Sequence, residues 1–410
     1  MESDFNMASS MSHSASISIT DSSIDLTAKT EQFIRDVCIP QEQAVRLSNK
    51  PPQDALIKEL VAEARHAGVY GPHLPTIYGG LERPWVERAD LFRAAGYSAL
   101  GPFALNCSAP DEGNQHLLHM VASDAQKAEF LEPMVRDAAR SCFMMSEPDG
   151  AGADPQQLKT RAVRDGDDYI ITGRKWYISG AIGARFAIIM ALEDGVGATM
   201  FLTPMDARGI NIVREMEGAS HASPGGHCEI ELDHVRLPKS AILGAAGEAF
   251  RYAQVRLAPA RLTHCMRWLG AAERAHDVAR HHAAKRTAFG KPLAGHQLIG
   301  AMFADNAIDM HASRLMIADC ARLLDAGDKA RHETSLAKVF VSEAVYRVVD
   351  RCVQILGGLG VMADTPVEAI WRSARAFRIY DGPSETHRDA IARHIHTQTV
   401  REQAAGGASL

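Results

Sequence analysis

Hydrophobic and polar residues follow two different periods along this chain, and the change of period divides it into three parts. Between about residues 23 and 139, apolar residues recur at the spacing of amphipathic helices. Between about 140 and 246, short β-branched and aromatic runs are separated by Gly, Asp and Pro. From about 247 to 410 the long helical period returns. We therefore predict an α+β protein with an N-terminal helical domain, a middle β domain and a C-terminal helical domain.

Local signals mark where several elements begin and end. Ser123 followed by Gln126 predicts a capping box at a helix start. The pair Asp165-Gly166 between two β-rich runs predicts a hairpin turn. Helical spacing in the first segment stops at Pro40, so we expect that helix to end there. Residues 1–22 are rich in serine and lack the basic start and apolar core of a secretory signal, which predicts a disordered leader.

Composition excludes several classes of protein. The net charge of −6 and the pI near 6.3 argue against nucleic-acid binding. The longest apolar run, Phe186–Leu192, is far shorter than the ~20 residues of a membrane span. The seven cysteines are odd in number and include no C-x-x-C pair, which argues against a disulfide framework or a zinc site and favours a cytoplasmic location. The paired histidines His281-His282 and His394-x-His396 lie on charged helical stretches, where solvated histidines are expected, so no metal site is predicted.

One motif points to a dinucleotide fold when it is taken alone. Gly358, Gly360 and Ala363 fit G-x-G-x-x-A, and Asp381 lies about 20 residues further on, where such folds place an acid for the ribose. The context is wrong, because the motif follows a long helical stretch rather than a strand. Pro366 interrupts the helix that should come next, and too few residues remain for the rest of a sheet. We therefore reject the dinucleotide interpretation.

Four separated segments, read together, resemble the acyl-CoA dehydrogenase family. They contain "FMMSEPDGAGAD", "GRKWYISGA", "AKRTAFGKPLAGHQ" and "QILGGLGVMADTPVEAIWRSARAFRIYDGPSETHRDAIAR". Three further stretches, "NCSAPDEGN", "GGHCEI" and "PARLTHCMRWLGAAERA", are most similar to the dehydrogenase portions of the mammalian family members ten and eleven. The resemblance implies the fold of that family, with a C-terminal four-helix bundle. It also implies an FAD-dependent enzyme that converts an acyl-CoA to the trans-2-enoyl-CoA, as in fatty-acid β-oxidation.

The resemblance places the catalytic base at Asp381, in the stretch "RIYDGPSETHR". The family has glutamate at this position. Some members carry the base on an earlier helix instead, but the matching residue here is Ala260, which has no acidic group. Arg261, Gly382 and Ala153 fall on positions at the substrate side of the site. Without the resemblance, Asp381 would be interpreted as a loop acid or as the cap of the helix that begins near Ser384.

Two groups of residues match family positions that contact FAD. The first group matches contacts to the flavin ring and consists of Phe143, Met145, Ser146, Tyr177, Ile178 and Ser179. The second group matches contacts to the pyrophosphate and adenosine and consists of Arg286, Phe289, Gln297, Gln354, Gly357, Gly358, Ser384 and Glu385. In the family, contacts of this second kind cross a subunit boundary. The resemblance therefore implies a homo-oligomer, with a dimer of dimers as the expected tetramer.

The aspartate at position 381 keeps alternatives open. Nitroalkane oxidases resemble this family and use an aspartate base, so an oxidase acting on a small non-CoA carbon acid is the second hypothesis. A flavin-binding scaffold without activity is the third, and loss of the base would favour it. For the dehydrogenase, the resemblance implies an electron-transferring flavoprotein as the electron acceptor. Because aspartate is one methylene shorter than glutamate, we expect an acyl chain that sits deeper or carries bulk near Cα or Cβ.

Overall fold

The computed structural model describes residues 21–48, 50–136, 139–218 and 224–404. The predicted leader lies outside the described residues, except for positions 21 and 22, which are helical. The described residues form helices, then a β-sheet, then helices. This order confirms the α+β fold class predicted from the change of hydrophobic period.

The described N-terminal part is helical, and two of its prolines, Pro40 and Pro133, lie just after a π-helical turn. Its helices are α1 (Asp21–Phe33), α2 (Ile39–Ser48), α3 (Asp54–His66), α4 (Trp85–Gly96), α5 (Gly101–Ala104), α6 (Asp111–Val121), α7 (Asp124–Gln126) and α8 (Glu132–Arg136). The predicted capping box of Ser123 and Gln126 is confirmed at the start of α7. The predicted helix end at Pro40 is wrong, because α1 continues through a π-helical turn (Ile34–Cys38) into α2. A wider turn just before a proline accommodates its ring and its missing N–H, and a second π-helical turn (Lys127–Leu131) precedes Pro133.

The described residues of the middle part form one seven-stranded sheet. Its strands are β1 (Ser141–Met144), β2 (Arg161–Asp165), β3 (Asp168–Ser179), β4 (Phe186–Glu193), β5 (Gly197–Pro204), β6 (Ile210–Glu215) and β7 (His227–Pro238). The order is β1-β4-β2-β3-β7-β6, and β5 pairs with β4. Strand β4 is the apolar run noted above, and it is buried over nearly its whole length. The hairpin predicted at Asp165 is confirmed, since β2 and β3 pair antiparallel across the turn at Gly166.

The C-terminal part contains three long helices and two shorter ones. They are α9 (Ala249–Lys285), α10 (Gln297–Asp325), α11 (Arg331–Leu356), α12 (Pro366–Phe377) and α13 (Ser384–Ala404). Helices α9, α10 and α11 pack on one another, and α11 also contacts α12 and α13. A small hairpin of β8 (Thr287–Ala288) and β9 (Lys291–Pro292) joins α9 to α10. Among the described helices, none combines the length and apolar character of a membrane-spanning segment.

Helix α9 also packs tightly against α4, and this crossing brings the N-terminal part to the functional site. A Cβ at Gly96 would lie 1.9 Å from the carbonyl oxygen of Arg267, and a Cβ at Gly270 would lie 1.9 Å from that of Arg93. Only glycine permits two backbones to approach so closely. The crossing therefore fixes the part of α9 around Arg267 against the N-terminal helices.

Candidate active site

Asp381 lies in the short connection between α12 and α13, and its backbone is held on two sides. Its φ of +55° is in the left-handed region, where aspartate is among the residues that occur most readily. Its carbonyl oxygen accepts from Arg261 Nε at 2.9 Å and from His387 Nε2 at 3.2 Å. Gly382, at φ +101°, leaves room for this contact, because a Cβ there would lie 2.8 Å from His387 Nε2. The structure thus brings Arg261 into contact with the backbone of Asp381, beside Gly382.

The carboxylate of Asp381 is held through one oxygen. Its Oδ2 lies 3.2 Å from Nε2 of His264, and the side chain remains 17% exposed. The described residues provide no hydrogen-bond partner for Oδ1. Burial alone would raise the pKa of the Asp381 carboxyl, but the hydrogen bond from His264 and the charges of nearby arginines hold that pKa well below its usual range. Asp381 is therefore ionised at neutral pH.

Aromatic side chains pack around His264, the partner of this carboxylate, on the side of α12. The ring centroid of Tyr380 lies 4.8 Å from that of His264, and Trp268 stacks on Phe377 at 5.9 Å. The indole N–H of Trp268 donates to the hydroxyl of Tyr380. Burial is the main reason that the pKa of the Tyr380 phenol lies far above its ordinary value. Tyr380 therefore stays neutral and adds no second acid beside Asp381.

Helix α9, where some family members carry the base, has no carboxylate placed to compete with Asp381 for that role. Position 260 is a buried alanine, as read from the sequence. The two acids of α9 are paired elsewhere, since Glu273 binds Arg93 at 2.9 Å and Asp277 accepts from Tyr97 at 2.7 Å. These acids line a cavity of about 600 Å³ between α1, α4, α9 and α10 that contains none of the predicted site residues.

The stretch "NCSAPDEGN" at the start of α6 supports two arginines of α9, and these contacts could not be predicted from the sequence. Asn114 accepts from Arg256 Nε at 2.7 Å, and the carbonyl of Cys107 accepts from Arg267 Nη1 at 2.6 Å. Glu112 lies 3.8 Å from Arg267 and is buried. The pairs are about 140 to 160 positions apart in the chain, so no local pattern reveals them.

The predicted flavin-ring residues are adjacent on β1, β3 and the loop after β1. The N–H of Trp176 donates to the carbonyl of Ser146 at 3.1 Å, which joins the two segments. Phe143 packs beneath the guanidinium of Arg256 at 4.3 Å, and Met145 is half-buried nearby. Tyr177 as a whole residue is 56% exposed, and its φ is +53°.

The side chains of Ile178 and Ser179 differ in what they offer to a bound group. Ile178 is buried in the core of the sheet, so only its backbone is available to a ligand. The Ser179 hydroxyl is 2.8 Å from Nδ1 of His227, a partner that the sequence did not reveal. Burial lowers the pKa of His227, so this histidine is neutral at pH 7. If Nδ1 carries the proton it donates to Ser179, and the hydroxyl hydrogen of Ser179 is then free for another acceptor.

Behind this surface lies a buried ion pair that the sequence analysis missed. Lys175 Nζ is 2.8 Å from Oε1 of Glu147, and the Lys175 side chain is 0% exposed. The ammonium also donates to the carbonyl of Met190 at 2.7 Å. Strand alternation could have pointed to Lys175, because every second residue of β3 faces the core.

Six residues of the second predicted FAD group lie outside the α12–α13 connection that holds Asp381, whereas Ser384 and Glu385 begin α13 directly after it. Arg286 and Phe289 are exposed at the β8–β9 hairpin, where Phe289 is 97% exposed, and Gln297 is exposed at the start of α10. Gln354, Gly357 and Gly358 are exposed at the end of α11. Ser384 is buried and donates to Glu343 at 3.0 Å, whereas Glu385 and Ala153 are exposed. These roles stay predictions.

Three family models together match almost the whole chain. They are the acyl-CoA dehydrogenase N-terminal domain over residues 20–138, the middle domain over 142–235 and the C-terminal domain over 247–396. The three matches follow the same order as the helical, β and helical parts of the structure.

Curated relatives agree with these matches. The probable acyl-CoA dehydrogenase of Mycobacterium tuberculosis is 38% identical over 82% of this chain and 85% of its own length. Human acyl-CoA dehydrogenase family member 11 is 33% identical over 93% of this chain and 50% of its own length. Mouse family member 10 is 35% identical over 86% of this chain and 34% of its own length. The chain thus spans half or less of the length of these two mammalian relatives.

Solved structures have the same architecture. A chain from Mycobacterium abscessus, described as an acyl-CoA dehydrogenase, superposes with a TM-score of 0.87 and 34% identity. The match covers 93% of this chain and 99% of that one. A glutaryl-CoA dehydrogenase from Mycobacterium smegmatis in complex with FADH2 superposes with a TM-score of 0.83 and 27% identity, covering 92% and 95%.

Proposed function

The chain belongs to the acyl-CoA dehydrogenase family, and on this premise we propose that it catalyses the FAD-dependent α,β-dehydrogenation of an acyl-CoA to the trans-2-enoyl-CoA. The carboxylate of Asp381 takes the proton from Cα, and bound FAD supplies the acceptor for the hydride that leaves Cβ. The observation that carries this proposal is the Asp381 carboxylate, which is ionised, partly exposed and held through one oxygen only.

The surroundings of Asp381 suit a base for a weak carbon acid. Oδ1 is the oxygen available to the α-proton, because Oδ2 is occupied by His264. A bound acyl chain would exclude water from the carboxylate, and the resulting desolvation would raise its pKa toward that of a useful base. The backbone N–H of Asp381 has no acceptor among the described residues. That N–H is suited to stabilise the negative charge that develops on the thioester oxygen when the α-proton leaves.

The residues of the predicted flavin site fit FAD. Tyr177 offers an exposed aromatic face, and Ser179 offers a hydroxyl beside it. Ser146 and Ile178 offer backbone groups. They lie on the two segments that are joined by the hydrogen bond from Trp176 to Ser146. We propose that Arg286, Phe289 and Gln297 contact the FAD of a second subunit, which the exposure of all three in a single chain supports. Function then requires at least a dimer, with a dimer of dimers as the expected assembly.

Removing the ring of Tyr177 is expected to weaken FAD binding. Tyr177→Ala should raise the Kd of FAD for the apoprotein about 2- to 12-fold, since stacked aromatic pairs contribute roughly 0.5–1.5 kcal/mol. Tyr177→Phe keeps the ring and should bind FAD with the wild-type Kd. Fluorescence titration of the apoprotein with FAD measures both. Equal Kd values for wild type and Tyr177→Ala would remove Tyr177 from the flavin site.

Two further parts of the proposal concern the partner and the compartment. We propose an electron-transferring flavoprotein as the electron acceptor, an expectation that rests on family membership. The cytoplasmic location stays a prediction, which the seven free and buried cysteines support. We also propose that the short arm of Asp381 selects an acyl chain that lies deeper or is branched near Cα or Cβ.

Aspartate at position 381 also favours one alternative, an oxidase of the same fold that acts on a small carbon acid without CoA. The two activities differ in what reoxidises the flavin. An oxidase produces hydrogen peroxide in air without an added acceptor, whereas a dehydrogenase needs one. Peroxide formation at the rate of substrate turnover would favour the oxidase.

The experiment that tests the proposed function is anaerobic bleaching of the bound flavin by a panel of acyl-CoA thioesters. We expect loss of the yellow absorbance with at least one straight-chain or branched acyl-CoA, because loss of a proton from Cα and a hydride from Cβ passes two electrons to the flavin. Free CoA serves as the control and should cause no bleaching. If no thioester of the panel bleached the flavin, the dehydrogenase function would be wrong.

A further inference from the structure

His264 lies between a charged donor and the carboxylate of Asp381, and these two contacts fix its tautomer. Arg267 Nη2 is 3.2 Å from His264 Nδ1. A guanidinium can only donate, so Nδ1 must be the acceptor and carries no proton. The proton of the neutral ring is then on Nε2, which lies 3.2 Å from Asp381 Oδ2. His264 is therefore oriented to donate to the carboxylate.

Arg267 is itself held in place by buried groups. Its second Nη donates to the carbonyl of Cys107 at 2.6 Å, and Glu112 balances its charge at 3.8 Å. Glu112 also accepts from the hydroxyl of Thr263 at 3.0 Å. The backbone of Arg267 is fixed by the crossing with α4 at Gly96. A continuous set of contacts thus runs from the N-terminal helices through Arg267 and His264 to Asp381.

We propose that His264 is a positioning residue for Asp381: it donates to Oδ2, fixes the orientation of the carboxylate and directs Oδ1 to the α-proton. This inference rests on the proposed function of Asp381 as the base. A short aspartate arm has a carboxylate about one C–C bond further back than glutamate, so its direction matters for reaching Cα. The Nε2–H of His264, whose tautomer is fixed by Arg267, supplies that direction.

The same contact serves before and after proton transfer. When Oδ1 has taken the α-proton, Oδ2 is a carbonyl oxygen and still accepts from Nε2–H. His264 does not itself accept a proton, because its Nδ1 is occupied by the positive Arg267. Burial and the charge of Arg267 lower the pKa of His264, in agreement with a neutral ring. The charged and titratable groups around Asp381, besides His264, are Arg256, Arg261, Lys338, His387 and Tyr380. Arg267 and Glu112 act on His264.

The test compares His264→Leu with His264→Gln in the FAD-loaded enzyme. His264→Leu removes the donor, and we expect flavin reduction at saturating acyl-CoA to slow about 10- to 100-fold, as for the loss of a hydrogen bond to a charged group. His264→Gln retains an N–H for Asp381 and an oxygen for Arg267, so its rate should lie within about threefold of wild type. Stopped-flow absorbance measures both rates.

The pH profile gives a readout that a merely structural role would not move. The reactive form of Asp381 is the carboxylate, so the rate falls as the pH drops through its pKa. The hydrogen bond from His264 lowers that pKa, so its loss in His264→Leu should move the acidic limb of kcat, which reports the substrate complex, to higher pH by about one to two units. His264→Gln should keep the wild-type limb.

His276 provides the matched control on the same helix. It is a half-buried histidine that contacts Phe303 and Asn306 and does not contact Asp381. We expect His276→Leu to keep the wild-type rate and pH profile. A wild-type rate and profile in FAD-loaded His264→Leu would overturn the inference while the proposed function remains. If no acyl-CoA bleaches the wild-type flavin, the proposed function is wrong and this role for His264 is overturned with it.

Discussion

Asp381→Asn is expected to slow reduction of the bound flavin by an acyl-CoA about 10²- to 10⁴-fold, the range for loss of a general base. Asparagine keeps the volume of the side chain and tolerates the left-handed backbone at φ +55°, so the loop should keep its shape. An amide nitrogen and oxygen cannot take up the α-proton at neutral pH. Anaerobic stopped-flow at saturating substrate measures the effect, with FAD content compared first.

Asp389→Asn is the matched control for this change. Asp389 is an exposed acid of α13 that pairs with Arg393 at 2.9 Å, and exposed pairs contribute little to stability. Its variant should reduce flavin at the wild-type rate. A wild-type rate in Asp381→Asn would mean that another group takes the proton, and the base assignment would have to be abandoned.

Asp381→Glu examines the shorter arm of the base. The added methylene moves the carboxylate forward by about one C–C bond and away from its present contact with His264. If the natural substrate sits deep or is branched, the activity of this variant on simple straight-chain acyl-CoAs should rise relative to its activity on the natural substrate. An unchanged substrate preference would argue against the steric explanation.

Much of the fold could be predicted because it depends on patterns that are local in the chain. The capping box at Ser123 and the hairpin turn at Gly166 depend on residues a few positions apart. The change from the helical to the strand period is also local. Each helix or strand buries one face, and the spacing of its apolar residues follows from that element alone. The helix end at Pro40 was predicted wrongly for the same local reason. A proline normally interrupts a helix, but the π-helical turn before it allows α1 to continue into α2.

The site could be predicted only in part, because its contacts join distant segments. The resemblance indicated Asp381, and the structure adds that Arg261 and His387 hold its backbone. His264 is more than a hundred positions away, and nothing in "PARLTHCM" distinguishes it from a solvated histidine. The arginine partners in "NCSAPDEGN" are hidden in the same way. Such pairs depend on how α6, α9 and the α12–α13 connection pack, which residue spacing does not encode.

The second large effect is expected from the buried ion pair of Lys175 and Glu147. The three protons of the ammonium face three oxygens: Glu147 Oε1 at 2.8 Å, the carbonyl of Met190 at 2.7 Å and that of Met145 at 3.4 Å. Burial lowers the pKa of Lys175 to about 8, so the side chain remains charged at pH 7. Burial would raise the pKa of Glu147, but Lys175 and hydrogen bonds from Thr160 hold it below its ordinary value. The pair is therefore ionic at neutral pH.

Lys175→Met should cost about 3–5 kcal/mol, because it leaves Glu147 as a buried charge without its counter-ion. If the chain unfolds as one unit, the melting temperature should fall by roughly 3–6 °C. FAD content should fall as well, since Lys175 is next to Trp176 and Glu147 is next to Ser146 in the two segments predicted to border the flavin. Differential scanning calorimetry and the ratio of flavin to protein absorbance measure both effects.

Two further variants show whether the missing counter-ion is the cause. Arg174→Met alters the neighbouring residue, which is exposed and pairs with Glu229 at 2.8 Å, so a loss below about 1 kcal/mol is expected. Lys175→Met combined with Glu147→Leu removes both charges and should recover much of the lost stability, since apolar residues can replace a buried pair at little cost. If the double variant were less stable than Lys175→Met, the carboxylate of Glu147 would be needed chiefly for its bonds to Lys159 and Thr160. In that case the ion pair would not be the main stabilising contact between the loop and β3.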